Sequence, residues 1–283
     1  MILVTGAGGK TGRVLIETLS KVESVCAFVH RQSSVPVVKS LGAEKVIVGD
    51  MLDEAALEAA LEGARAVYHI SPNMCLDELQ IGRLIIRQAL NLGVEHFVYH
   101  SVLHPQTEKM AHHWGKLRVE ELILESGLSF TILQPAPYMQ NLLVGWKKTL
   151  EDEMLRVPYS VYSKFSFIDL ADLAEAATIT LTAAGHRNAT YELAGTVPFS
   201  HEEVGEIMKS VLNRSIRVEQ EEISEWRLRA VGTSEFALEN LVKMFEYYDK
   251  YGLSGNPNVL RWVLGREPAS LGNFIQRSMK QSN

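Results

Sequence analysis

Short apolar runs alternate with helical patterns along the first half of the chain. The runs are mostly β-branched or aromatic, and they cover residues 2–5, 25–30, 45–49, 66–71, 97–102 and 130–134. Such runs are typical of strands that are buried on both faces of a parallel sheet. Between them, apolar positions recur at helical spacing over residues 11–21, 53–62, 76–92 and 114–126, the second of these behind an N-capping Asp53. The alternation predicts an α/β fold with a doubly wound parallel sheet of Rossmann type, built from βαβ units.

The regular alternation ends after Gln134, where Pro135 and Pro137 interrupt the pattern. We predict that residues 165–168 and 189–195 are further strands on either side of a helix over 170–184, and that they return to the same sheet. From residue 196 the pattern is mainly helical, with a capping box at Ser200 and Glu203, a charged strand over 216–222 and helices near 224–252. The prediction is a Rossmann domain of residues 1–134 plus 163–195 and a smaller, mainly helical C-terminal lobe of residues 135–162 plus 196–283.

Composition excludes several classes of protein. The 283 residues allow one or two domains, and the two cysteines exclude a disulfide framework. The net charge of −6 provides no basic surface, so we expect no direct binding of nucleic acid. No apolar run reaches the roughly 18 residues of a membrane-spanning helix. Because the first strand begins at residue 2, there is no room for a targeting peptide, and we expect a cytoplasmic protein that does not bind a membrane.

A glycine-rich loop lies between the first strand and the first helix, and its sequence is Gly6-Ala7-Gly8-Gly9-Lys10-Thr11-Gly12. Gly6 would permit a tight turn, Gly9 would let the backbone approach a pyrophosphate, and Gly12 would allow close contact between helix and strand. The N-terminus of the helix offers free N–H groups and the positive end of its dipole to a phosphate. A P-loop is excluded, because Val4 stands where that motif needs its first glycine. The loop therefore predicts dinucleotide binding.

The end of the second strand indicates which dinucleotide is bound. An NAD-binding fold usually has an acidic residue here for the ribose hydroxyls, whereas this chain has His30 and Arg31. Arg31 could form a charge-assisted pair with a 2′-phosphate, and no carboxylate is present to repel that phosphate. The alternative is that Arg31 is a solvated loop residue. We predict NADP, used as NADPH, in preference to NAD.

Several motifs together resemble one known group of proteins. Besides the glycine loop they are Gly49-Asp50-Met51, His69-Ile70-Ser71-Pro72, Gln134-Pro135-Ala136-Pro137-Tyr138-Met139-Gln140-Asn141, Tyr191-Glu192-Leu193-Ala194-Gly195 and Val263-Leu264-Gly265-Arg266-Glu267-Pro268. Over nearly the whole chain, they resemble the NmrA-like family of atypical short-chain dehydrogenases/reductases, most closely its NADPH-dependent quinone reductase and triphenylmethane reductase branch. The resemblance implies that the C-terminal lobe binds the substrate over the nicotinamide. The family also contains redox sensors without catalytic activity.

The resemblance also implies contacts with the cofactor. The pair after the third strand would lie beside the adenine, the pair after the fourth near the pyrophosphate and ribose, and Ser101 near the nicotinamide. Parallel sheets bind their ligands at the carboxyl ends of the strands, which agrees with these positions. The cofactor-binding residues that we expect outside the glycine loop are His30, Arg31, Asp50, Met51, Ile70, Ser71, Ser101, Lys116 and Pro135.

Typical short-chain dehydrogenases use a Tyr-x-x-x-Lys pair, whose spacing puts both groups on one face of a helix. Here Lys116 matches the lysine that holds the nicotinamide ribose, but His112 stands at the tyrosine position. An imidazole with a pKa of about 6.5 is suited to acid-base catalysis at neutral pH. The alternative is that His112 and His113 cap or line the start of a helix. The predicted catalytic residues are therefore Lys116 and His112.

Other chemistry has weaker support. His100 and His104 lack a third ligand at metal spacing, and Ser101 is not in a G-x-S-x-G elbow, so we expect neither a metal site nor a hydrolase triad. Four aromatic residues beyond the proline boundary could line an apolar substrate slot or pack between the lobes. They are Tyr138, Trp146, Tyr159 and Tyr162.

Two functions from different classes are consistent with these residues. The first is an oxidoreductase that transfers hydride from NADPH to a quinone-like or other conjugated, apolar or aromatic small molecule. The second, favoured by the missing tyrosine, is a non-catalytic redox sensor whose bound NADP controls its association with a protein partner. The missing tyrosine and the short lobe disfavour sugar-nucleotide epimerisation. The sequence leaves the oligomeric state open, a homodimer included.

Overall fold

The computed structural model describes residues 1–282, with side chains described as far as Lys280. The strands are β1 (Ile2–Val4), β2 (Val25–Val29), β3 (Lys45–Val48), β4 (Ala66–His69), β5 (His96–His100), β6 (Phe130–Pro135), β7 (Met154–Val157), β8 (Ala189–Leu193) and β9 (Arg217–Gln220). The helices are α1 (Lys10–Leu19), α2 (Val35–Ser40), α3 (Glu54–Leu61), α4 (Glu78–Asn91), α5 (Ala111–Glu125), α6 (Trp146–Asp152), α7 (Leu170–Thr182), α8 (His201–Leu212), α9 (Ile223–Arg229), α10 (Glu235–Tyr251), α11 (Asn258–Leu264) and α12 (Leu271–Ser282).

Seven strands form one sheet in the order β3-β2-β1-β4-β5-β6-β8. Neighbours from β3 to β6 are parallel, and β1, β2, β4 and β5 are buried along their whole length. The predicted α/β fold of Rossmann type is thereby confirmed. The chain proceeds outward from β1 to β3 on one side and from β4 to β6 on the other, so the strand order reverses between β1 and β4. The carboxyl ends of β1 to β6 lie along one edge of the sheet, and ligands of such folds bind at that reversal point.

Helices α1 and α3 each bury an apolar face. Leu15, Ile16 and Leu19 are the large buried residues of α1. Helix α3 begins behind Asp53, whose carboxylate accepts hydrogen bonds from the backbone N–H groups of Ala55 and Ala56 at 3.0 and 3.3 Å. This cap is the one that the sequence predicts, and it satisfies two N–H groups that have no partner within the helix.

The chain divides into two compact units. Unit 1 comprises residues 1–106, 112–134 and 173–191, and unit 2 comprises residues 107–111, 135–172 and 192–283. Residues 163–172 thus belong to unit 2, although the sequence pattern assigns them to the Rossmann domain. The strand predicted for residues 165–168 of the large sheet is wrong, because Phe165 pairs with Phe199 and Leu253, and Ile168 pairs with Tyr138. An apolar run indicates a buried extended segment, but it does not identify the partner of that segment.

Unit 2 contains a small sheet and most of the C-terminal helices. Strands β7 and β9 pair in parallel, and β9 confirms the charged strand predicted for residues 216–222. The capping box before α8 is also confirmed: the Ser200 hydroxyl accepts from the backbone N–H of Glu203 at 3.2 Å, and the Glu203 carboxylate accepts from the backbone N–H of Ser200 at 2.7 Å. In the described part of the chain, no helix has both the length and the apolar character needed to cross a bilayer.

Two buried carboxylates fasten the C-terminal segment within unit 2. Asp172, which is 2% exposed, accepts hydrogen bonds from the Arg266 guanidinium at 2.8 Å and from the backbone N–H of Ala269 at 2.7 Å. Asp169 accepts from Gln140 at 2.8 Å and pairs with Arg277. Removing either arginine would leave a buried carboxylate without its cation, which is destabilising. Arg266, one of the residues that carry the family resemblance, therefore has a structural partner.

Candidate functional site

The glycine loop forms a tight turn between β1 and α1, at the point where the strand order reverses. Gly6 has a φ of +59°, and a Cβ added to it would lie 2.9 Å from the Ile70 carbonyl oxygen. Only glycine adopts this backbone conformation without strain. A Cβ on Gly12 would lie 2.5 Å from the Gly6 carbonyl oxygen and 2.7 Å from the Ala7 Cα. The turn therefore leaves no space for side chains at either position.

The N-terminus of α1 is open to an anion. Its N-cap is Gly9, which provides no side-chain cap, and the first turn contains no acidic residue. Two hydrogen bonds to carbonyl oxygens stabilise the loop. Arg13 Nε donates to the Gly8 carbonyl oxygen at 2.8 Å, and the Gly9 N–H donates to the Gly6 carbonyl oxygen at 3.0 Å. Free N–H groups and the helix dipole favour a phosphate at this place. The residues present therefore fit the pyrophosphate of a dinucleotide.

The next residues of the predicted site follow β2 and β3. Arg31 is exposed directly after β2, and among the described residues it has no ion pair. His30 and Asp50 are also exposed, with 3.9 Å between His30 Nδ1 and the Asp50 carboxylate, whereas Met51 is buried. An exposed guanidinium that follows β2 is suited to pair with a 2′-phosphate.

A chain of buried hydrogen bonds links the ends of β1 and β4. The Thr5 hydroxyl lies 2.9 Å from His69 Nδ1 and accepts from the Ile70 N–H at 2.9 Å. The other ring nitrogen of His69 lies 3.2 Å from the Ser71 hydroxyl. Burial, and then the charge of Lys116, lower the pKa of His69 to about 3. His69 is therefore a neutral structural residue that orients the backbone at Ile70 and the side chain of Ser71.

Lys116 of α5 is held at the carboxyl end of β5 by a buried acid. Its Nζ donates to the Glu78 carboxylate at 2.7 Å, and the Tyr99 hydroxyl donates to the same oxygen at 2.9 Å. The side chains of Lys116 and Glu78 are only 15% and 6% exposed. Tyr99 does not replace the missing catalytic tyrosine, because it is fully buried and because burial, followed by Glu78, raises its pKa well above the usual value.

Ser101, just after β5, belongs to a second buried network. Its hydroxyl donates to the Glu120 carboxylate, and the Gln134 side-chain amide donates to both oxygens of that carboxylate at 3.0 Å. Burial raises the pKa of Glu120, and the hydrogen bonds from Ser101 and Gln134 oppose that rise. Glu120 is one helical turn beyond Lys116, so α5 presents His112, Lys116 and Glu120 along one face.

His112 is placed where the sequence expects it, four residues before Lys116. Burial, and then His113 and Lys116, lower the pKa of His112 to about 3. Its ring packs edge to face with His113 at a centroid distance of 4.4 Å, and its Nδ1 is a buried atom without a hydrogen-bond partner among the described residues. The imidazole is therefore neutral between pH 5 and 8, and it cannot act as an imidazolium acid over that range.

The remaining predicted residues lie in unit 2. Pro135 ends β6. Trp146 is buried at the start of α6, and its indole Nε1 has no hydrogen-bond partner among the described residues. Tyr159 packs inside an aromatic cluster with Phe165, His201, Phe245 and Tyr248. Tyr138 is half-buried and Tyr162 is 69% exposed. Of the four aromatic candidates, Trp146 alone combines burial with an unpaired polar atom.

Four buried residues of the site are absent from the sequence-based prediction: Glu78, Tyr99, Glu120 and Gln134. One signal was present for Glu120, because its spacing from Lys116 places both on one helix face. For Glu78 the sequence contains no comparable signal, since it lies 38 residues from its partner Lys116.

A glycine turn, an open helix N-terminus and a series of polar residues along the carboxyl edge of a parallel sheet define a nucleotide-binding α/β protein. The particular group follows from the whole sequence. The chain belongs to the NmrA-like family, whose model matches residues 1–279.

Similar proteins include reductases. Quinone oxidoreductase 2 of Escherichia coli strain K12 is 25% identical over 287 residues, and the match covers 100% of both chains. NAD(P)H azoreductase of Xenophilus azovorans is 25% identical over 280 residues, which cover 98% of this chain and 97% of the relative. The solved structure of an Escherichia coli NADPH-dependent quinone oxidoreductase complexed with NADPH has a TM-score of 0.86 at 25% identity, over 99% of this chain and 100% of that one.

Proposed function

We propose that this protein is an NADPH-dependent reductase that transfers hydride to a quinone-like or other conjugated small molecule. The observation that carries the proposal is the glycine turn of unit 1, which has no room for side chains at Gly6 and Gly12 and leads into a helix N-terminus without a side-chain cap or an acidic first turn. The similarity to quinone and azo-dye reductases over the full chain supports the same reaction class. NADPH, when bound, supplies the hydride from its nicotinamide ring.

Different residues of unit 1 would contact different parts of the cofactor. The glycine loop would bind the pyrophosphate, Arg31 the 2′-phosphate, and Lys116 the nicotinamide ribose through its ammonium group. Asp50 and Met51 remain our proposal for the adenine end, and Ile70, Ser71, Ser101 and Pro135 for the remainder of the dinucleotide. For the substrate we propose two residues of unit 2: Trp146, whose indole N–H has no hydrogen-bond partner among the described residues and could donate to a substrate oxygen, and Tyr138.

The reaction does not require a protein acid. His112 is neutral at physiological pH, because burial lowers its pKa to about 3, and Tyr99 is buried with its hydroxyl bonded to Glu78. The anion that forms when a quinone accepts hydride is delocalised over the ring, so water can protonate it. His112 is accordingly a residue of secondary importance in the proposal, and Lys116 acts on the cofactor.

Stopped-flow measurement of NADPH absorbance across a panel of quinones, azo dyes and enones tests the proposal. We expect oxidation of NADPH with at least one class of acceptor, in single-exponential traces whose rate saturates with acceptor concentration. Tight NADPH binding without oxidation by any member of the panel would contradict the reductase proposal. It would favour the redox sensor, which a pulldown of partners with NADP and with NADPH then tests, because linkage requires different partner affinities in the two states.

Arg31 is expected to set the preference for NADPH over NADH. Replacing it with alanine removes a charge-assisted pair with the 2′-phosphate, so the Kd for NADPH should rise by about tenfold, or about 1.4 kcal/mol. The Kd for NADH, which lacks that phosphate, should stay within about twofold. Isothermal titration with both cofactors measures the change, and Arg83→Ala, which removes another exposed arginine, is the control. Tighter binding of NADH than NADPH by the unmodified protein would refute the assignment.

A further inference from the structure

A buried ion pair connects α4 to the predicted ribose-binding lysine of α5. Glu78 begins α4 and is 4% exposed as a residue. Its carboxylate oxygen Oε1 accepts from Lys116 Nζ at 2.7 Å and from the Tyr99 hydroxyl at 2.9 Å. Lys116 Nζ also lies 5.6 Å from the centre of the Tyr99 ring. Three elements of unit 1, α4, α5 and β5, thus meet at one carboxylate.

The two helices are close enough for this pair because of a glycine. Gly82, one turn after Glu78, has its Cα directly against Val119, which is three residues after Lys116; a Cβ on Gly82 would lie 3.0 Å from both methyl carbons of Val119. The contact fixes the separation of α4 and α5 next to the ion pair. Glu78 therefore meets Lys116 where α4 packs against α5 at the contact of Gly82 with Val119.

The ion pair has a physical consequence for Lys116. A lysine side chain has four rotatable bonds, and fixing them costs up to about 2 kcal/mol of rotamer entropy. Because the ion pair with Glu78 forms when the protein folds, the Lys116 side chain is already fixed before any ligand binds. The ligand therefore does not have to offset this loss of entropy. Lys116 has three N–H donors, and Glu78 is its single hydrogen-bond partner among the described residues. Two donors of a pre-positioned ammonium group thus remain for a ligand.

We propose that Glu78 is a positioning residue for cofactor binding: with the Tyr99 hydroxyl it holds the Lys116 ammonium group in place at the carboxyl end of β5, ready for the nicotinamide ribose. The inference rests on the proposed function, since the ribose is the expected ligand of Lys116. Glu78 itself does not contact the cofactor in this proposal. It acts through Lys116 alone.

This dependence predicts a specific pattern of affinities. Glu78→Gln keeps the shape and the acceptor oxygen but removes the charge, and it should raise the Kd and the KM for NADPH by about tenfold. The kcat and the KM for the acceptor should stay within about threefold. Lys116→Met should raise the Kd for NADPH at least as much. In the double variant, Glu78→Gln should add no further loss of affinity, because the residue through which it acts is gone.

The stability of the same variants provides an independent readout. Lys116→Met leaves the Glu78 carboxylate buried without its cation, and adding Glu78→Gln removes that charge, so the double variant should have a higher Tm than Lys116→Met. If Lys116→Met does not fold, the double variant still allows the affinity to be measured. An equal loss of NADPH affinity from Glu78→Gln in both backgrounds overturns the proposal, as does an unchanged Kd in the single variant. Because the Kd is measured without turnover, a protein that binds NADPH but reduces nothing disproves the reductase and leaves this test intact.

Discussion

Replacing Gly12 with alanine is expected to weaken NADPH binding by about 100-fold, which corresponds to about 2.7 kcal/mol. The added Cβ would lie 2.5 Å from the Gly6 carbonyl oxygen and 2.7 Å from the Ala7 Cα. Both are backbone atoms, so no side chain can rotate away, and the turn has to open or α1 has to move. Either change displaces the N–H groups that would bind the pyrophosphate. Fluorescence titration with NADPH measures the loss of affinity.

Gly272→Ala is a matched control for this variant. Gly272 also lies in a helix, α12, and a Cβ there would meet Val211 and Ile207 at 3.7 and 4.0 Å, which are ordinary contact distances. We expect wild-type affinity from that variant, and circular dichroism should show that both variants are folded. If Gly12→Ala bound NADPH within about threefold of the wild-type Kd, the glycine loop would not be the pyrophosphate site.

The features that the sequence predicts correctly are those determined over short distances. Strand and helix patterns depend on neighbouring residues, and the cap at Asp53 depends on the two N–H groups that follow it. The glycine loop is equally local, because the turn needs glycine at Gly6 whatever the remainder of the chain does. These signals predict the carboxyl edge of the sheet, which is the place that we propose for the nucleotide.

The features that the sequence does not predict depend on residues far apart along the chain. Glu78 in α4 is an ordinary first-turn acid until α5 brings Lys116 to it, and only the packed helices show the pair. Phe165 has the apolar pattern of a sheet strand, yet its backbone partners are Phe199 and Leu253 of unit 2. The apolar run around Phe165 predicts burial, whereas nothing in the sequence marks Glu78, and in both cases tertiary packing selects the partner.

Acid is expected to destabilise the protein increasingly as the pH falls below about 6.5. Burial is the largest cause that holds six imidazoles neutral in the folded state, with pKa values of about 3 or about 4 against an ordinary 6.5. A histidine with a lowered pKa in the folded state stabilises the protein fully above pH 6.5, and this contribution is lost as the pH falls towards the folded pKa. The six residues are His69, His96, His100, His112, His113 and His201.

The size of the effect follows from proton linkage. Below pH 6.5 each of these histidines binds a proton in the unfolded chain but not in the folded one, which costs about 1.4 kcal/mol per pH unit. At pH 5 each loss is about 2 kcal/mol, and together the losses are comparable with the whole free energy of unfolding of a typical domain. Glu120 acts in the opposite direction, because its raised pKa favours the folded state in acid, but it is one group against six.

One substitution distinguishes the protonation of buried histidines from a general loss of surface ion pairs as the cause of acid destabilisation. His201 is 1% exposed, packs among Tyr159, Phe165 and Phe167, and has an Nδ1 without a hydrogen-bond partner among the described residues. His201→Phe therefore removes one proton-binding group and leaves an aromatic ring in an aromatic cluster. We expect urea unfolding between pH 5 and 6 to show a slope of free energy against pH that is lower by about 1.4 kcal/mol per pH unit in this variant. An unchanged slope would show that His201 is already protonated in the folded protein between pH 5 and 6. Native circular dichroism at about pH 4 would show the same for the six histidines together. The reason is that only imidazoles that stay neutral in the folded state couple stability to pH in this range.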